Sequence, residues 1–317
     1  MKKVLLVLLI LVMCGCTQNN ELENIDDLSI VVPAGAPSLA FYNELNNNKF
    51  ATADAASIMP ELKGENGSDI IVIDTANGIK ALNAGANYKL AATITFGNFY
   101  LAATGNDDDG IMNDGDYIVV FSQGATPDLI FHYLYGNDYD SNIHYVSAVS
   151  DASACLIKGI NISDEERKID EEPYVDYVMI AEPALSVALS QNQNASVYAN
   201  IQEEYANKSK NHSMIQASVF VSNNLSEKQV YAYLEKLETS INDLLKNPSI
   251  FVEATDGFAD NEIKEIFGVP NKKLANKVLL DNTIGLGYQK AYDIKEDIDY
   301  FISLFGVEKT SEEIFIK

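Results

Sequence analysis

Ile30-Val-Val-Pro-Ala-Gly35-Ala-Pro37-Ser-Leu-Ala-Phe-Tyr42 and Ile118-Val-Val-Phe-Ser-Gln-Gly124-Ala-Thr-Pro127-Asp-Leu-Ile-Phe-His-Tyr133 follow one plan, about ninety residues apart. Each is an apolar β-branched run, a Gly-Ala turn, then a proline opening an apolar helix. Proline suits a first helical turn because its missing N–H would be unpaired there anyway. Glycine lets the backbone turn sharply and lets another group approach closely. The helix then presents free N–H groups at the carboxyl end of the strand, the usual ligand position in open α/β sheets.

Two further junctions repeat the plan. Val72-Ile-Asp74-Thr75-Ala-Asn-Gly78 and Met179-Ile-Ala-Glu182-Pro183-Ala184 each set a carboxylate or hydroxyl where a strand becomes a helix. Asp, Ser and Thr cap helices in any protein, so one such junction says little. Two pairs, one in each half, point to two similar lobes facing a shared cleft, where a small ligand is buried.

The same rhythm continues outward. Strands are expected at 28–32, 69–73, 89–95, 99–104, 117–121, 143–149 and 175–180, with helices at 37–45, 75–82, 126–135, 152–157 and 183–190. Strands alternating with short helices predict an α/β fold with mostly parallel sheets. Beyond Met214 the texture changes. A strand is expected over 213–221, followed by a helix from Ser226 to about Lys246. Val230, Tyr233, Leu234, Leu237, Ile241 and Leu244 recur there at helical spacing, and Asn247-Pro248 ends it. Residues 261–267 and 294–304 are later helical candidates.

The N-terminus carries an address. Lys2 and Lys3 precede an unbroken apolar run, Val4 to Met13, and Gly15 precedes Cys16. Ten apolar residues are too few to span a bilayer, which takes about 20 as a helix. Charge, short apolar core and small residue describe a secretory signal peptide over residues 1–15. Gly15-Cys16 resembles a bacterial lipobox, which implies lipidation of Cys16 and tethering outside the cytoplasmic membrane. Thr17 to Asp27 is polar with no apolar period, so residues 16–27 read as a flexible tether.

Composition excludes several classes. Loss of Lys2 and Lys3 with the leader lowers the basic count from 22 to 20 against 46 acids, a net charge of about −26. Such a surface repels nucleic acid. Of three cysteines, Cys14 leaves with the leader and Cys16 is the lipid candidate. Cys155 is then alone in an apolar helical stretch, as a structural thiol without a disulfide. His132, His144 and His212 lack metal-ligand spacing. The acidic run from Asn106 to Asp116 fails the EF-hand pattern on either glycine, and reads as a solvated loop. No nucleophile elbow, P-loop or dinucleotide fingerprint is present, and Gly285-Leu-Gly287 is too short to count. No cofactor is expected.

The Gly-Ala-Pro-Ser, Ser-Gln-Gly-Ala-Thr-Pro and Ala-Glu-Pro-Ala turns, in that order, resemble extracellular solute-binding lipoproteins of ABC importers. The nearest group is the one binding nitrate, sulfonate, taurine and thiamine precursors. The resemblance runs from about Leu28 to Met214 and more loosely beyond. It implies a two-lobed type II periplasmic-binding-protein-like α/β fold with a hinge and an interlobe cleft. Lobe one would comprise residues 28–103 plus 214–317 and lobe two 104–213, with crossovers near Ala103-Thr104-Gly105 and His212-Ser213-Met214.

Family binding positions carry over to matching turns only: Gly35, Ala36, Pro37 and Ser38; Asp74 and Thr75; Gln123, Gly124, Ala125 and Thr126; Glu182 and Pro183. Phe96, Asn98 and Phe99 follow a strand where the family often lines its cleft. The implied partners are a small solute, an ABC permease with its ATPase, and the membrane through the lipid, for a monomeric protein that is not an enzyme. The four turns lack Arg and Lys and hold Asp74 and Glu182, which favours a neutral or cationic organic solute over an anion. A lyase-type enzyme on the same fold and a surface interaction lipoprotein without a solute are the alternatives.

Overall fold

The computed structural model describes residues 24–64, 67–106, 110–162 and 174–317. The leader, Cys16 with its expected lipid, most of the tether and part of the acidic run after Asn106 lie outside these residues.

The chain starts with β1 (Ile30–Pro33), α1 (Ala36–Leu39), β2 (Phe50–Ala53), α2 (Ala55–Lys63), β3 (Ile70–Asp74), α3 (Thr75–Asn83) and β4 (Tyr88–Thr95). It continues with β5 (Phe99–Ala103), β6 (Ile118–Phe121), α4 (Thr126–Tyr135), β7 (Ile143–Val146), α5 (Val149–Lys158), β8 (Tyr177–Ala181), α6 (Ala184–Gln191), β9 (Ser196–Asn200) and α7 (Ile201–Lys208). Last come β10 (Ala217–Ser222), α8 (Glu227–Lys246), α9 (Ser249–Ala254), α10 (Asp260–Phe267), α11 (Lys272–Leu280), β11 (Leu286–Lys290) and α12 (Lys295–Ser303). Among the described residues these strands form two sheets, one of six strands ordered β11-β4-β10-β3-β1-β2 and one of five ordered β7-β6-β8-β5-β9.

Both sheets are mixed, which corrects the mostly parallel expectation. β1, β2 and β3 pair in parallel, as do β6, β7 and β8, but β10 and β5 run antiparallel to both their neighbours. The reason is the path of the chain. β5 and β10 are the strands by which it enters a sheet from the other one. A strand entering from the seam must run away from it, whereas β1, β3, β6 and β8 run toward their helix-opening turns.

The first crossover also moves. β5 belongs to the second sheet, paired with β8 and β9, so the chain leaves the first sheet through Phe96-Gly97-Asn98 and not near Ala103-Thr104-Gly105. It returns through residues 209–216 to β10. Met214 and Ile215, 2% and 0% exposed, are packed inside this return segment instead of pairing as strand, so β10 begins at Ala217 and not at Ser213. Gly97 sits at φ +100, and a Cβ on it would fall 2.6 Å from Gln202 and 2.8 Å from the Met214 sulfur.

The helix expected over 37–45 is also shorter. α1 ends at Leu39, and Tyr42–Glu44 makes a separate 3₁₀ turn. Leu39, Ala40 and Phe41 are all fully buried, and three consecutive buried residues cannot share one helical face.

One apolar cluster packs Ile30, Val32, Ile70, Val72, Ile94 and Val219 of the first sheet against α8 to α11. A second is continuous from the opposite face of that sheet (Val31, Ile71, Ile73, Phe220) through α3 and α12 into the second sheet. The two lobes therefore share packed apolar contact on one side of their seam.

Candidate functional site at the seam between the sheets

Asp74 ends β3 and caps α3. Its Oδ1 accepts from the Asn77 N–H at 2.9 Å, replacing a donor bond that the first helical turn cannot make internally. Its Oδ2 accepts from the Thr126 hydroxyl at 2.7 Å. Thr126 is the first residue of α4, in the other lobe. Two helix-opening turns that the sequence singled out thus meet directly across the seam. Burial pushes the Asp74 carboxyl above its usual range, against the lowering effect of the Asn77 and Thr126 bonds.

The Glu182 turn sits beside the crossover. Asn98 and Glu182 exchange bonds, the Glu182 N–H to the Asn98 carbonyl at 2.9 Å and Asn98 Nδ2 to the Glu182 carbonyl at 2.8 Å. The Glu182 carboxylate accepts from the Ser186 N–H at 3.0 Å and the Ser186 hydroxyl at 2.8 Å. Burial raises its pKa, opposed by those two bonds and by the neighbouring Thr283 hydroxyl of the first lobe. Tyr100 of β5 donates to the Thr283 carbonyl at 3.0 Å, a second bridge between lobes. Burial, with Glu182 nearby, pushes the Tyr100 phenol up to about 12, so it remains a donor at neutral pH.

The other expected residues divide. Thr75 is fully buried and its hydroxyl lies 2.7 Å from Ser218, itself 2.9 Å from Thr93. Phe99 is 3% exposed and packs edge-on to Phe121, which puts its ring in the core of lobe two. Phe96 is half-buried at the crossover, and its N–H donates to the Gly285 carbonyl at 2.8 Å. Gly35, at φ +118, carries Ser38, whose hydroxyl donates to the Gly35 carbonyl at 2.9 Å. Ala36 is buried and Pro37 half-buried on the same turn. Gln123, Gly124 and Ala125 are exposed, with the Gly124 N–H donating to Asp128 at 2.7 Å. Pro183 follows Glu182 through a cis peptide bond.

Sequence reasoning missed Gln216. It lies in the return crossover, where its N–H donates to the Thr95 carbonyl at 3.0 Å and its own carbonyl accepts from the Thr75 N–H at 3.0 Å. Its Nε2 donates to Asn98 Oδ1 at 3.0 Å. It therefore touches both crossovers and the Asp74-Thr75 turn. No local motif marks it, because its position depends on two chain passes more than a hundred residues apart.

Among the described residues no group of three or more His, Cys, Asp or Glu is placed to hold a metal ion. No described helix is long and apolar enough to cross a membrane. A cavity of about 660 Å³ lined by Lys89, Val221, Leu225, Tyr231, Phe315 and Lys317 opens at the far ends of β4 and β10, away from the four turns.

No protein-family model matches the chain, and no curated protein matches it by sequence. Solved structures do. An ABC transporter structure from Parabacteroides distasonis aligns over 92% of this chain and 99% of its own, with TM-score 0.70 and 20% identity. The periplasmic aliphatic sulphonate binding protein SsuA from Escherichia coli aligns over 92% of each chain, with TM-score 0.60 and 14% identity. A Candida albicans gene product described as having the generic periplasmic binding protein structural fold aligns over 91% and 92%, with TM-score 0.52 and 12% identity. The chain has the periplasmic-binding-protein fold, and the structures it resembles include solute-binding components of ABC import systems.

Proposed function

We propose that this protein is the solute-binding lipoprotein of an ABC importer, which captures a small organic molecule between its lobes and passes it to a membrane permease without turnover. The observation that carries this reading is the Thr126–Asp74 bond, because it sets the helix-opening turns of the two lobes face to face. Each lobe is an α/β unit joined to the other by two chain passes, an arrangement suited to closing over a ligand. Ligand binding would favour the closed arrangement by the difference in affinity between the two states.

The solute is a neutral or cationic organic molecule. The four turns carry no Arg or Lys, and two carboxylates stand at the seam. Lipidation of Cys16 would hold the protein outside the cytoplasmic membrane beside its permease and ATPase, as a monomer. Cys16→Ala should release it from the membrane fraction.

A thermal-shift screen of residues 16–317 against small metabolites tests the binding role, because a ligand bound only by the folded state raises the melting temperature. A hit that Glu182→Gln abolishes supports a carboxylate contact, and unchanged affinity removes it. Chemical conversion of the hit would overturn the binding role in favour of an enzyme.

A further inference from the structure

The glycines of the two repeated turns are held by one device, built to two lengths. In lobe one Pro37 is followed by Ser38, whose hydroxyl accepts from the Gly35 N–H at 3.2 Å and donates to the Gly35 carbonyl at 2.9 Å. In lobe two Pro127 is followed by Asp128, whose Oδ2 accepts from the Gly124 N–H at 2.7 Å. The reach differs because the spacing differs. Gly35-Ala-Pro-Ser38 sets the glycine three residues before its acceptor, whereas Gly124-Ala-Thr-Pro-Asp128 inserts Thr126 and makes it four. A carboxylate oxygen stands one bond further from the backbone than a serine hydroxyl, and the longer side chain occurs with the longer turn.

Both turns need holding, because each contains left-handed backbone. Gly35 lies at φ +118, and Ser122 and Gly124 lie at φ +59 and +75, a region that is costly for a serine. The Ala125 N–H closes the second turn on the Ser122 carbonyl at 2.9 Å. The Ser122 N–H and hydroxyl donate to the carbonyls of Val146 and Ser147, at the end of β7, at 2.9 and 3.2 Å. Asp128 holds the remaining corner and is itself fixed, since its Oδ1 accepts from the Tyr145 hydroxyl at 2.9 Å and lies 3.0 Å from His132 Nδ1. Ser38 and Asp128 are both buried, so they act from behind their turns, whereas Gly124 is exposed. A polar residue early in a helix caps it in any protein, which would account for either contact alone. It does not account for one post-proline position gripping the turn glycine in both lobes, with side-chain length matched to spacing.

Resting on the proposed solute-binding role, we infer that Ser38 and Asp128 are positioning residues, a pair of clasps that hold the two repeated turns in the shape that meets the solute. Ser38 then acts through Gly35 instead of touching the solute. The clasps also occupy both glycine N–H groups, so neither is left for an anionic head, in keeping with a neutral or cationic solute.

Hydrogen exchange of the Gly35 and Gly124 amides, followed by NMR in residues 16–317, tests this. Ser38→Ala should speed exchange at Gly35 by about tenfold, the size of one lost hydrogen bond. Asp128→Ser, too short for the four-residue spacing, should do the same at Gly124. Asp128→Asn keeps an acceptor oxygen at the original reach and should restore the protection. Amides deeper in α4, from Ile130 to Leu134, should keep wild-type rates in all three variants. Affinity for the metabolite that raises the melting temperature in the thermal-shift screen should fall about tenfold in Ser38→Ala and Asp128→Ser and recover in Asp128→Asn. Unprotected glycines in the wild type, or exchange unchanged in Ser38→Ala and Asp128→Ser, overturns the inference and leaves the solute-binding role standing. Faster glycine exchange with unchanged affinity does the same, as does a loss of protection along all of α4 that Asp128→Asn fails to reverse. A screen in which no metabolite binds overturns the solute-binding role and this inference with it, whatever the amides show.

Discussion

Tyr133 of α4 and Tyr300 of α12 meet hydroxyl to hydroxyl at 2.9 Å, a further bond between the lobes. Thr126, which bonds Asp74, and Tyr133 are seven residues apart on α4, two turns along one face. One helix of lobe two is thus attached to lobe one at both ends. His212 stacks on Tyr300 at 4.2 Å and bonds Asp297 at 2.7 Å, which fixes the α12 end to the return crossover.

Tyr133→Phe and Tyr300→Phe should each destabilise the protein by about 1 kcal/mol, the net size of one hydrogen bond. The double variant should lose little more than either single one, because both remove the same bond. Urea denaturation of the four proteins measures the coupling. Additive losses would mean that the two hydroxyls act independently.

Asp74 gives the stability a pH dependence of predictable sign. Its carboxyl titrates near 3.8 when unperturbed and higher in the folded protein, because of burial. Below 3.8 both states are protonated. As the pH rises from there, the unfolded state ionises first, so stability falls until the folded carboxyl also ionises. Asp74→Asn should remove this loss while keeping a good helix cap. Melting temperatures of variant and wild type should diverge with rising pH across that window and then run parallel. Glu182, raised in the same way from 4.5, leaves a residual slope in the variant.

Gly285→Ala should be among the most damaging small substitutions. Gly285 sits at φ +61, and a Cβ there would come within 1.9 Å of the Gly97 carbonyl oxygen, which is backbone and cannot rotate away. Left-handed backbone and overpacking together predict a loss of ~3 kcal/mol. The first crossover would have to shift, so ligand affinity should fall along with the melting temperature. Gly136→Ala, at φ +75 with open space around it, is the control for backbone strain alone.

Cys155 is fully buried on α5, and burial raises its thiol pKa. A thiol reagent at neutral pH should label it only as fast as the protein opens, and labelling should accelerate through the denaturation midpoint. Prompt labelling of the native protein would show that α5 detaches readily.

Much of the seam was legible in sequence because strand-to-helix turns carry local chemistry. Asp74 caps the helix it opens, and the Gly-Ala-Thr-Pro turn delivers Thr126 to the lobe interface. The crossover was not legible. Phe96-Gly97-Asn98 lies between two runs of strand-forming residues, and nothing local says that Thr95 and Phe99 belong to different sheets. β2 was missed as a short, half-buried edge strand, and α2 because Pro60 lies inside it. β9 was overlooked for a related reason, since its exposed Val197 and Tyr198 break the alternation that marks a strand. Gly285-Leu-Gly287 is too short for a nucleotide-binding pattern, and nothing local says that its first glycine serves close approach of the Gly97 backbone.

The position of β10 sets an order of assembly. Among the named strands β4 pairs with β10 and β11, with a single further bridge from Leu90 to Phe315, and β3 keeps one edge open until β10 fills it. When the first 216 residues have emerged during synthesis, every named strand of the second sheet is present, while β4 still has no neighbour. The lobe that starts the chain is therefore the last to be finished, and it waits with β3 open on one edge and β4 on both while the middle of the chain folds. Unpaired edges of this kind invite association between chains. A nascent molecule is thus most vulnerable to aggregation after the second sheet has formed and before residue 222 has emerged.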